Sequence, residues 1–147
     1  MATEELFTMK RLFVLFGVLL GAGSIAAAQG LQVQLHYTGA GTVDATHKMF
    51  VGLWDSPDFH GGGPPADVQS ASSKDGTVTF SHLGTAPVYV TVAYDPTGQW
   101  DGASGPPPSG TSVGMYSKAP PKPDPISVTP GKVTKVTISF DDTSKVP

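Results

Sequence analysis

The 147-residue chain contains no cysteine. That excludes both a disulfide framework and a lipid-anchor thiol, so the folded part must be stable on packing alone. Charge is sparse as well, at 14% of residues. Arginine occurs only at Arg11 and glutamate only at Glu4 and Glu5, so beyond residue 28 the formal balance is 7 lysines against 10 aspartates. A net charge of −3 argues against nucleic acid or an anionic membrane surface as the main partner. No stretch beyond residue 28 is long and periodic enough for a helix, and no internal repeat is visible.

The one long apolar run lies at the start. Lys10 and Arg11 precede Leu12 to Leu20, and Gly21, Gly23 and Ser24 lead to Ala26-Ala27-Ala28-Gln29. A basic n-region, an h-region and an A-x-A site predict a signal peptide over residues 1–28, cleaved between Ala28 and Gln29. Glu4 and Glu5 fit an n-region badly, and reading from Met9 gives the compact leader MKRLFVLFGVLL. A retained signal anchor is the alternative, but Leu12 to Ala28 is short for a spanning helix and its second half is Gly, Ala and Ser. The expectation is therefore an exported protein, periplasmic or extracellular, without stable membrane insertion after cleavage.

Residues 29–147 are enough for one domain with a real core. All 14 prolines and 15 of the 18 glycines lie there, the composition of an all-β domain rich in turns. Leu31 to Tyr37 alternates cleanly, with Leu31, Val33, Leu35 and Tyr37 inward. His47 to Trp54 carries apolar residues on both faces, which predicts a central strand or one covered by a loop. Residues 55–65 hold three glycines and three prolines and read as a long loop running on through Gln69 to Lys74.

Thr77 to Ser81 and Val88 to Tyr94 both show the period of two of a half-buried strand. The Gly and Pro between them suggest a hairpin. Ser112 to Ser117, Ile126 to Thr129 and Lys132 to Phe140 complete about seven strands. Between the first two of these, Ala119 to Pro125 reads as a stiff, extended crossover. The spacing predicts an antiparallel β-sandwich, immunoglobulin-like or transthyretin-like, with a small closed barrel as the alternative. No Cys-Trp-Cys pattern marks a true immunoglobulin domain.

The strand Val88-Tyr89-Val90-Thr91-Val92 is preceded by Gly-Thr-Val-Thr-Phe80 and followed by Asp95, Gly98, Asp101 and a Gly105-Pro tract. This arrangement resembles the carboxypeptidase-regulatory-like or transthyretin-like (prealbumin-like) sandwich domain, as does the closing strand after Pro130-Gly131-Lys132. It is similar also to a family of small exported bacterial proteins of uncharacterised function, which carry an Asp-x-Asn-Gly-x-x-Asp-like loop after the same strand. The resemblance spans residues 31–140 and implies a secreted sandwich module, with no catalytic residues to carry over.

Candidate binding residues cluster after that strand: Tyr94, Asp95, Trp100 and Asp101, with Trp54 from the earlier strand. Exposed tryptophan offers large apolar area at low entropic cost and can stack on a sugar or anchor a partner. In Asp95-Pro-Thr-Gly-Gln-Trp-Asp101, Thr97 and Gln99 stand where a calcium loop needs acids, so Asp95, Thr97 and Asp101 would form a weak calcium site at best. The preferred reading is that both aspartates cap turns. His36, His47, His60 and His82 share no metal-ligand spacing, and no metal or other cofactor is expected.

Three readings of function are open. The first is a non-enzymatic exported module that binds an extracytoplasmic protein or glycan through the loops at the Trp100 end. The second is a carbohydrate-binding module using Trp100 and Trp54. The third is a transthyretin-like hydrolase, which requires histidines and a basic residue gathered in a cleft.

Overall fold

The computed structural model describes residues 30–59 and 63–147. The predicted leader, its predicted cleavage site between Ala28 and Gln29, and His60 lie outside them. The described residues form seven strands and no helix: β1 (Gly30–Tyr37), β2 (Met49–Trp54), β3 (Asp67–Ala71), β4 (Thr77–Ser81), β5 (Tyr89–Tyr94), β6 (Ser112–Met115) and β7 (Val133–Phe140). They make two sheets, β4-β1-β7 and β3-β2-β5-β6, packed as a β-sandwich and not closed into a barrel. Every pairing is antiparallel except that of β1 with β7, which is parallel.

Period-two alternation selects the core. Leu31, Val33, Leu35 and Tyr37 of β1 are buried, as are Val78 and Phe80 of β4 and Val136, Ile138 and Phe140 of β7. They meet Met49, Val51 and Leu53 of β2 and Val90, Val92 and Tyr94 of β5 in one cluster. The Tyr37 and Tyr94 rings join the two sheets at a centroid distance of 5.0 Å. Each large apolar side chain buried this way stabilises the fold by about 1.5–3 kcal/mol. Without disulfides, this packing has to hold the sandwich.

Three expectations about strands need correction. β4 and β5 are not a hairpin: β4 pairs with β1, whereas β5 pairs with β2 and β6. Residues 82–88 carry the chain from one sheet to the other. They turn through His82, which adopts a left-handed φ of 57°. Two strands lining one core show the same alternation whether they are neighbours or face each other, so the pattern was silent on this point.

Asp67–Ala71, read as loop, is edge strand β3, antiparallel to β2. Of its residues only Ala71 is buried, so it lacks the apolar alternation that marks a strand. Ile126 to Thr129 is not a strand and contributes a single bridge, Val88 to Ile126. Ile126 and Val128 are buried, so their alternation records burial without pairing. The ladder stops there because Val90 O, which would face Asp124, accepts instead from Tyr116 N, while Asp124 N donates to Tyr116 O.

Candidate functional site on the outer face of the four-stranded sheet

The positions of β2 that face away from the core are Phe50, Gly52 and Trp54. On the neighbouring strand their partners are Ala93, Thr91 and Tyr89. The rows extend outward to Ser70 and Val68 on β3 and to Val113 and Met115 on β6. None of these ten positions carries a charge. The outer face of the three-stranded sheet is different in kind, with Gln32, Gln34, His36 and Lys135 among serines and threonines. The sandwich therefore has one polar outer face and one uncharged, aromatic one.

Trp54 sets its indole against that second face. A Cβ placed on Gly52 would sit 2.9 Å from the indole Nε1 and 3.5 Å from Cε2, so the ring covers the glycine. This is the familiar way in which an aromatic shields a strand glycine. Trp54 Nε1 donates to Thr91 Oγ1 at 2.9 Å, which fixes the ring over β5. Phe59 packs against it at 5.3 Å, inclined by 51°.

Trp100 covers the other end of the face. Its ring meets Phe50 edge-on at 5.2 Å and 71°, and its Nε1 is buried with no hydrogen-bond partner. Gly102 lets the loop settle there, because its φ is +84° and a Cβ would come within 2.4 Å of the Phe50 ring. Both tryptophans are half-buried. They share one sheet face, at opposite ends of β2, and do not meet in a common loop cluster.

Asp95 positions Trp100. Its carboxylate is fully buried and accepts four hydrogen bonds. Thr97 N (2.9 Å) and Thr97 Oγ1 (2.7 Å) donate to Oδ1, while Gln99 N (3.1 Å) and Trp100 N (2.8 Å) donate to Oδ2. Burial pushes the carboxyl up, but the donors from Thr97, Trp100 and Gln99 outweigh it and hold it below the ordinary carboxylate range. Asp101 turns away to cap its own loop, accepting from Ser104 Oγ, Ala103 N and Ser104 N. Those bonds, the Ser104 hydroxyl first, lower it to about 2. The two aspartates thus cap separate turns, and the Thr97 hydroxyl is already committed to Asp95.

Tyr94 points the other way. It is buried, and its hydroxyl donates to Thr42 O at 2.6 Å. Burial, followed by the charges of Asp44, Asp142 and Asp95, raises its pKa. Beside it Asp142 accepts from the Tyr37 hydroxyl, from Ser112 Oγ at 2.7 Å and from Ala40 N at 2.9 Å. Lys74 donates to Gly39 O at 2.7 Å and lies 5.2 Å from the centre of the Tyr37 ring. This end is a clamp that ties the 38–42 turn to the C-terminal segment.

The histidines are dispersed. His36 pairs with Asp75, and His47 Nδ1 lies 2.9 Å from Asp44 Oδ1. His82 is at the intersheet turn. Among the described residues no three His, Cys, Asp or Glu side chains gather into a group that could hold a metal ion.

Sequence reasoning singled out Trp54 and Trp100 but not Phe50, Tyr89, Thr91 and Gly52, which give them their setting. Apolar residues on both faces of β2 were the available signal. The strand order that brings Tyr89 beside Trp54 was not. Searches of protein-family models, curated proteins and solved structures return no match to this chain.

Proposed function

We propose that this chain is a non-enzymatic, exported binding module, and that the uncharged aromatic face of the β3-β2-β5-β6 sheet is its recognition surface. One observation carries the reading. The N–H edge of the Trp54 indole sits over Gly52 and is pinned by Thr91, on a face with no charge. A pinned aromatic ring loses little entropy on binding. Export rests on the leader that the sequence predicts, with its Ala28-Gln29 cleavage site.

The test uses the labelled mature chain from Gln29 and washed envelopes of the producing cell. Trp54→Ala should weaken binding about tenfold, the loss of one good hot spot, in a protein that stays folded by circular dichroism. Equal binding by both forms refutes the reading.

A further inference from the structure

Building on that reading, we infer that the ligand is a neutral polysaccharide chain, laid along β2 from Trp54 toward Trp100. A pyranose ring has an apolar C–H face, which stacks on a π surface, and hydroxyls, which need hydrogen-bonding groups at the rim. The Trp54 end supplies both. With its Nε1 spent on Thr91 and Phe59 packed against it, the half-buried indole offers what remains of its π surface. Beside it stands its cross-strand partner Tyr89, half-buried, whose hydroxyl has no hydrogen-bond partner among the described residues. Ser70, in the Phe50 row, is equally free.

Charge narrows the class. Polyuronates, phosphorylated polymers and nucleic acids need cations to replace their counterions, and the ten outward positions of the four strands hold none. A protein partner is disfavoured by area. The only large apolar side chain that stands exposed among the described residues is Val133, 44% accessible, on β7 of the opposite sheet. The aromatic face shows rings whose sides are already packed, too little open apolar surface for the core of a stable protein interface. A sugar ring needs only the plate.

Shape favours a polymer over a monosaccharide. From Phe50 to Trp54 the face runs four residues along β2, roughly 13 Å at the rise of a strand, which is longer than one pyranose. It is the outer surface of a sheet, and a small ligand binds well only where a cavity encloses most of it. Several weak contacts along one chain are the mode that such a strip allows.

The experiment measures affinity electrophoresis and tryptophan emission of the mature chain against purified cellulose, chitin, xylan and mannan. Alginate, polygalacturonate and free hexoses are run beside them. The expected result is retention by at least one neutral polymer, with neither polyuronate nor hexose bound at comparable concentration. Trp54→Ala should weaken that retention about tenfold. Tyr89→Phe, which removes only a hydroxyl the fold does not use, should weaken it several-fold, so the surface is tested without disturbing the sandwich.

Failure of every neutral polymer, equal binding of a polyuronate, or indifference to both substitutions overturns the inference. Envelope binding separates the two levels. If it depends on Trp54 yet survives periodate oxidation of the envelope glycans, the polysaccharide is wrong and the binding module stands. If it ignores Trp54, both fall.

Discussion

Trp54 and Gly52, two residues apart on β2, form one unit: the indole occupies the space that a side chain at 52 would fill. The nearest approach, 2.9 Å from a would-be Cβ to Nε1, involves the same nitrogen that donates to Thr91. Gly52→Ala should therefore lift the ring and break that bond, at a cost of about 1 kcal/mol. A lower denaturation midpoint together with red-shifted tryptophan emission is the expected outcome. An unchanged spectrum would mean that the ring does not lie there.

Asp95 should be the most sensitive acid in the chain. Asp95→Asn keeps the volume but turns one accepting oxygen into a donor facing backbone N–H groups. Each buried donor left without an acceptor costs about 1–3 kcal/mol. Chemical denaturation should show a large loss of stability, and Trp100 emission should shift as its loop loosens. Asp101→Asn, at an exposed turn, should lose much less.

Stability should fall at both pH extremes for separate reasons. Asp44, Asp101 and Asp142 are each held at about 2 by hydrogen bonds, below the unfolded value near 4. The unfolded chain therefore takes up protons first, so stability present above about pH 4 is lost as the pH drops toward 2. Tyr37 is raised to about 12 by burial and by its bond to Asp142. Its neutral form is favoured in the folded state, so its contribution is intact below about pH 10 and lost on the way to 12. Calorimetric melting temperatures should trace a plateau between these limbs. Asp142→Asn should flatten part of both.

Hydrogen exchange should alternate along β7. Lys132 O accepts from Gly30 N and Phe140 O from Thr38 N, so the even-numbered residues turn their backbone groups to β1. Those of Val133, Lys135, Thr137 and Ser139 face the open edge. Amides at 134, 136, 138 and 140 should be protected, and those at 133, 135, 137 and 139 should exchange fast. Protection of the odd set that grows with concentration would show β7 pairing with another strand.

Much of the fold was legible from local pattern. Leu31, Val33 and Leu35, or Val136 and Ile138, alternate with polar neighbours strongly enough to set both the strand and its buried face. The turn-capping role of Asp95 was legible too, since aspartate two residues before a threonine favours such a turn. β3 was hidden because an edge strand of Asp, Gln and Ser buries almost nothing. Ile126 and Val128 misled because burial without pairing produces the same alternation.

The sequence by itself determined the all-β class, the composition of the core and the lack of any covalent brace, because these depend on side-chain type and spacing within a few residues. Only the tertiary structure decided that β4 joins β1 while β5 joins β2, and so that Tyr89 stands beside Trp54 on a face without charge. Alternation fixes which way a side chain points. Which strand comes to lie alongside is settled by contacts distant in the chain, and the aromatic face exists only once those are made.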